Sequence, residues 1–258
     1  MQIFVSDKGY VFIAAIKSVS EFPKALKMFD KEVGVPEAII ADSHKCHKSK
    51  EVRQFCHKIG TTLRVLEGFT QWANRAELYV GLFKEAVRKY MLQENTPLVF
   101  WDYCAERRAV ITNMTAKDLF QLQGQTPHFA TFGEEGDISK ICQFWWYEWV
   151  YFQETTAKVP FPAHVLGHCL GPAKNKGNGM TQWVLKQNGQ FFPQRTMRRL
   201  TLEEWAREIE IKKISEFNYA IKAQYGDLFS LPDKTLENPQ DEDDTGDLPF
   251  DEVSPSIP

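Results

Sequence analysis

Residues 37–42, Glu-Ala-Ile-Ile-Ala-Asp, and residues 70–91, Thr-Gln-Trp-Ala-Asn-Arg-Ala-Glu-Leu-Tyr-Val-Gly-Leu-Phe-Lys-Glu-Ala-Val-Arg-Lys-Tyr-Met, decide how the rest of the chain is read. The first is a short apolar run ending in a carboxylate, the pattern of a central strand buried in a sheet. The second predicts a long helix over about 74–92 with Glu77 in its first turns. Glu77, Gly81, Lys84 and Arg88 follow at the 4, 3, 4 spacing that keeps one helical face, and Lys89 stands beside them. A carboxylate at a strand end and another on a helix can together offer hard oxygen ligands to Mg²⁺ or Mn²⁺. Two such ions would activate and stabilise the oxygens exchanged in phosphodiester chemistry. Lys84, Arg88 and Lys89, one and two turns further on, suit a phosphate backbone. Spacing alone also fits a solvated strand end and an exposed, charge-laced helix face.

Working outward, residues 3–6 and 10–17 are β-branched and aromatic runs about Ser6, Asp7, Lys8 and Gly9, which predicts a hairpin with Asp7 in its turn. Phe22, Ala25, Leu26, Phe29 and Val33 give a helix with one buried face, stopped by Gly34 and Pro36. Ser49 caps a second helix that buries Val52, Phe55, Cys56 and Ile59, and Gly60 closes it. Residues 61–66 read as another strand and residues 98–113 as another helix. Beyond about 125–140 the pattern changes. Residues 141–152 read as an aromatic strand, and turns at Gly167, Gly171-Pro172, Gly177-Asn178-Gly179 and Asn188-Gly189 punctuate short apolar runs, as in a small antiparallel barrel. Residues 202–229 look helical.

The division expected is an α/β layer over 1–125, a β domain over 140–202, a helical segment over 203–232 and a disordered acidic tail over 233–258. Net charge supports the last boundary. The whole chain carries −3, but residues 233–258 hold nine acids and one base, leaving 30 bases against 25 acids in residues 1–232. The body is mildly basic, which permits a polyanionic partner. Hydrophobic residues make up 43% and charged residues 25%, as in ordinary globular proteins. Five scattered cysteines, Cys46, Cys56, Cys104, Cys142 and Cys169, argue against a disulfide framework. No apolar run approaches the length of a membrane span and no signal peptide opens the sequence, so neither a membrane nor secretion is expected.

The order and spacing of these segments resemble the integrase region of copia-type retrotransposon polyproteins. The likeness runs on through LVFWDYCAERRAVITNM (98–114), TPHFATFGEEGDISKICQFWWYEWVYF (126–152) and VLGHCLGPAKNKGNGMTQWVLKQNG (165–189). It implies a ribonuclease-H-like integrase core lacking its first strand, followed by a small SH3-like β-barrel domain. It further implies that Asp42 and Glu77 are the second and third members of an Asp, Asp, Glu set that holds Mg²⁺ or Mn²⁺, and that Lys84 touches DNA. The implied activity is DNA strand transfer by a polynucleotidyl transferase. The implied partners are DNA and further copies of the chain, with no small-molecule substrate, in the nucleus or the cytoplasm. The first carboxylate of the set is absent from the matched part, so the chain as written is expected to be inactive. The alternative is a nucleic-acid-binding module without chemistry, or a decayed remnant.

Other clusters read more plainly. His44, Cys46, His47, Cys56 and His57 lack the paired CxxC and HxxxH arms of a structural zinc site, and Cys56 falls on a buried helix face. Trp145, Trp146, Tyr147, Trp149, Tyr151 and Phe152 fit packing between domains, with base stacking the other reading. Lys174, Lys176, Lys186, Arg195, Arg198 and Arg199 fit a solvated basic face, with DNA contact the other.

Overall fold

The N-terminal hairpin forms as β1 (Gln2–Val5) and β2 (Val11–Ala14), antiparallel, with Val5 opposite Val11. The turn closes through Ser6 N–H to Tyr10 O and Gly9 N–H to Ser6 O, and Asp7 accepts from Lys8 N–H within it. This is a computed structural model that describes residues 1–66, 75–153, 164–174, 176 and 180–226. The chain then enters α1 (Phe22–Val33), whose Phe22, Ala25, Leu26 and Phe29 are buried as the 3.6-residue spacing requires. Gly34, at φ 110°, ends the helix with its N–H on Asp30 O. A parallel pair follows, β3 (Ala38–Ala41) and β4 (Thr62–Val65), joined through α2 (Lys50–Ile59). The Ser49 side chain accepts from Val52 N–H, and Gly60 takes the left-handed conformation that L-residues with a Cβ resist.

Within residues 37–42 a strand forms over Ala38–Ala41, but not a buried central one. β3 pairs only with β4 among the described residues, and Ile40 stays 52% exposed. A strand is buried on both faces only when neighbours and helices cover it, and here one flank of β3 has no strand beside it. The hairpin and the parallel pair share a helical layer nonetheless. Phe4 of β1 packs on Phe12, Ala25 and Phe29 on one side and on Phe22, Leu26 and Val52 on the other, where Ile39 and Leu63 also pack. Its ring stacks on Phe29 at 5.1 Å and on Phe22 at 5.8 Å.

Across the hairpin lie α3 (Arg75–Gln93) and α4 (Trp101–Met114), the latter preceded by a 3-10 turn at Leu98–Phe100. Phe83, Val87 and Met91 of α3 meet Phe100, Cys104, Ala105 and Ala109 over Ile3, Val11 and Ile13. Buried Asn113 imitates a neighbouring strand: Val11 N–H donates to its Oδ1 and its Nδ2 donates to Val11 O, both at 2.7 Å.

Short helices α5 (Pro127–Phe132) and α6 (Ser139–Cys142) lead to the C-terminal half. The aromatic strand expected over 141–152 forms only from Trp149. Residues 139–142 are helical, and Tyr147 at φ 56° breaks the extended path, so strand propensity in this run yields to local backbone geometry. β5 (Trp149–Gln153), β6 (His164–Pro172), β7 (Gln182–Lys186), β8 (Phe191–Gln194) and β9 (Met197–Arg199) make a five-stranded antiparallel sheet in the order β8-β7-β6-β5-β9. At Gly167 a Cβ would come within 2.6 Å of Leu185 O, so only glycine permits β6 to lie this close to β7. Thr201 and Glu204 form a reciprocal capping box for α7 (Leu202–Ala206), and α8 (Glu208–Tyr225) follows after a break at Arg207. Trp146, Tyr147, Leu170, Leu185, Phe217 and Ile221 join the same apolar cluster as α3 and α4, so the sheet and the helical layer share one core. Each of these fully buried large side chains stabilises that contact by about 1.5–3 kcal/mol.

The turn expected at Gly177-Asn178-Gly179, the start of the third helix at Asn74 and the acidic tail over 233–258 lie outside the described residues.

Candidate nucleic-acid interface

α3 turns one side into the core and the other outward. Phe83, Val87 and Met91 recur every four residues and are buried, which leaves Glu77, Gly81, Lys84, Arg88 and Lys89 exposed. Lys84, Arg88 and Lys89 have no ion-pair or hydrogen-bond partner among the described residues, so their charge faces solvent uncompensated. Gly81 sits in the same row with nothing within 4 Å of where a Cβ would be; no neighbour in the chain demands glycine there. The face is not purely charged. Leu78 and Leu82, one turn apart, are 66% and 53% exposed beside it, an apolar edge that charge spacing alone does not reveal. Arg108 of α4 lies over the Tyr90 ring at 6.0 Å and adds a further cation near the C-terminal part of α3.

Asp42 follows β3 directly, as the sequence pattern requires, but its carboxylate is engaged within its own loop. His47 Nδ1 donates to Asp42 Oδ1 at 2.5 Å, and His44 N–H donates to the same oxygen at 3.2 Å. The His47 side chain is largely buried, 12% exposed, with its ring edge on Phe22 at 4.3 Å, whereas the Asp42 side chain is 48% exposed. Behind it, His44 Nδ1 lies 3.1 Å from Cys46 Sγ; burial, with the Asp42 charge adding to it, raises the Cys46 thiol above its usual range. Nothing in the spacing of residues 42–47 announced the Asp42–His47 contact, which depends on how the loop closes. Cys56 is buried in the Phe22, Leu26 and Val52 cluster, against which Cys46 also packs. Among the described residues no three His, Cys, Asp or Glu side chains gather as a metal site would require.

The basic stretch of the C-terminal sheet is more committed than its composition suggests. Arg198 makes a two-pronged contact with Glu204 at 2.7 and 2.6 Å, and its guanidinium holds that carboxyl down to about 2. Arg199 pairs with Glu148 at 2.9 Å. Lys186 lies over the Phe192 ring at 4.6 Å, while Lys174, Lys176 and Arg195 are exposed. Of the aromatic run, Trp146, Tyr147, Tyr151 and Phe152 are buried and Trp145 is exposed. His168, unremarked in the sequence, is fully enclosed: its ring stacks on Tyr147 at 3.7 Å, lies tilted against Trp149 at 3.6 Å, and Nδ1 donates to Tyr147 O at 2.7 Å. Nε2 has no partner among the described residues, and burial pushes the pKa of the ring down to about 3. Its position in the apolar run of β6 was the one signal that could have marked it.

No helix among the described residues is long and apolar enough to cross a membrane. No protein-family model matches this chain, and no curated protein matches it. Among solved structures, the chain is similar to one described as "CryoEM structure of simian T-cell lymphotropic virus intasome in complex with PP2A regulatory subunit B56 gamma", at 14% identity and a TM-score of 0.40, over 77% of this chain and 74% of that one.

Proposed function

We propose that this chain binds the phosphate backbone of DNA through the outward face of α3, as part of an integrase-type, ribonuclease-H-like core joined to an SH3-like β domain, and that it carries out no strand transfer by itself. The observation that carries the reading is the exposed, unpartnered row of Lys84, Arg88 and Lys89 on a helix whose opposite side is locked into the core. Cations held on a rigid element contribute to polyanion binding by releasing condensed counterions. The fold half of the reading draws on the divided N-terminal layer. A two-stranded antiparallel and a two-stranded parallel sheet on one helical layer, bridged by Phe4, are what a mixed sheet leaves when a strand between them is missing.

The Mg²⁺ or Mn²⁺ that the resemblance implies finds an incomplete set among the described residues. Mg²⁺ keeps several waters and is held through one or two protein carboxylates plus phosphate oxygens. Asp42 and Glu77 would be the carboxylates offered to it, but no three His, Cys, Asp or Glu side chains gather among the described residues, and Asp42 Oδ1 already accepts from His47 and His44. Strand transfer in this reading awaits a further carboxylate from outside the described residues.

Anisotropy of a labelled DNA duplex, titrated at low salt with the full chain and with a Lys84→Glu, Arg88→Glu double variant, tests the reading. Binding by the parent, weakened at least tenfold in the variant with its circular dichroism unchanged, supports it. Equal binding by the two proteins rejects it. Joining of DNA ends by the chain alone, with added Mg²⁺, contradicts the claim that it does no chemistry.

A further inference from the structure

Residues 233–258 hold Asp233, Glu237, Asp241, Glu242, Asp243, Asp244, Asp247, Asp251 and Glu252 against Lys234 alone. The body that precedes it has the opposite excess, 30 bases against 25 acids. The described chain ends where α8 delivers it: Tyr225 packs its ring on Phe100 at 5.2 Å and donates its hydroxyl to Gly189 O at 2.7 Å. Phe100 shares its cluster with Met91 and follows the C-terminal end of α3 in the chain, so the described chain ends on the same cluster as that end of the helix. Arg88 and Lys89 are within one turn of Met91, Lys84 lies one turn further back, and Arg108 stands over Tyr90 nearby. Against these cations α3 offers only Glu77 and Glu85.

We propose that the acidic segment of this chain docks on the α3 face, seating carboxylates on Lys84, Arg88 and Lys89 where DNA phosphates would otherwise lie. The inference rests on the reading of α3 as a DNA-binding face and adds a competitor built into the same molecule. Length permits it. From Gly226 to Asp241 the chain can span up to about 50 Å, whereas a helix of the length of α3 measures about 28 Å. Tethering supplies an effective concentration on the order of millimolar, so even weak carboxylate–cation contacts compete with a nucleic acid at micromolar levels. Charge complementarity also makes the contact salt-sensitive, because exposed pairs are screened beyond about 10 Å at moderate ionic strength.

Two measurements on the full chain test this. The first is zero-length cross-linking with a water-soluble carbodiimide, read by mass spectrometry of the monomer band. Docking gives amide links from Asp241, Asp243, Asp244, Asp251 or neighbouring acids to Lys84 or Lys89, and these fade as salt is added. Links confined to other lysines, links found only in covalent dimers, or no links at all overturn the proposal whether or not the chain binds DNA. The second compares DNA affinity of the parent with a full-length variant carrying Asp241→Asn, Glu242→Gln, Asp243→Asn and Asp244→Asn. Release of the face tightens binding several-fold, and the gain vanishes when Lys84→Glu and Arg88→Glu are added. Unchanged affinity overturns the competition. Links to Lys84 or Lys89 with no DNA binding by any of these proteins uphold docking and reject the DNA-binding reading instead.

Discussion

Acidifying the protein from pH 7 to pH 5 asks His168 to accept a proton in a site that rejects one. The ring lies between Tyr147 and Trp149, meets the edge of Phe217 at 5.3 Å and has an unpartnered Nε2, and burial takes its pKa down to about 3. An unfolded chain protonates the same ring near the ordinary value of about 6.5. Between those limits the unfolded state binds more protons, so folding loses stability as the pH falls through about 6.5 and goes on losing it down to about 3; above about 7 the effect is gone. With about 1.36 kcal/mol per pH unit inside that window, the step from pH 7 to pH 5 costs about 2 kcal/mol. Glu94, Asp102 and Glu106, whose carboxyls burial raises, act in the opposite sense and stabilise the fold on acidification. A His168→Phe variant isolates the histidine, because it keeps the aromatic contacts and leaves those carboxyls in place. Urea unfolding followed by tryptophan fluorescence at the two pH values is the assay. The parent should lose about 2 kcal/mol more than the variant. An equal loss in the two proteins would refute the reasoning, since it would mean the imidazole is not held neutral by its surroundings.

Three further outcomes are expected. Asn113→Leu removes both hydrogen bonds to Val11 and strands a buried N–H and C=O, so urea unfolding should show a loss of about 2–3 kcal/mol. Gly167→Ala drives a methyl to 2.6 Å from Leu185 O and 2.8 Å from Val184 Cγ1, which should cost about 1–3 kcal/mol by thermal or urea unfolding. Ile40→Lys should change stability by no more than about 0.5 kcal/mol, because the side chain is half in water; a loss of several kcal/mol would mean that β3 is covered after all.

The helices were legible because their signals are local. Phe22, Ala25, Leu26 and Phe29 announce one buried face, and Ser49 and Gly60 announce both ends of α2, with the capping bond and left-handed glycine where expected. The hairpin turn about Asp7 was equally local. What failed depended on distant partners or on backbone turns that strand propensity does not carry. The run 37–42 reads as a strand from its own residues, but its burial depends on a neighbour, and without one Ile40 faces solvent. The aromatic run 141–152 has uniform strand propensity, yet Tyr147 at positive φ and the helical turn over 139–142 interrupt it. The outward row on α3 followed from helical spacing, whereas the Asp42–His47 contact and the His168 cage arise from loop closure and strand packing, which no spacing rule encodes.

The most direct test of the central claim is the salt dependence of DNA binding by the full chain. Three phosphate contacts, at Lys84, Arg88 and Lys89, should give a slope of log K against log salt of about −2.7, and each charge removed from α3 should reduce it by about 0.9. Binding that is absent at low salt, or whose slope is unchanged in Lys84→Glu and Arg88→Glu, would contradict the account.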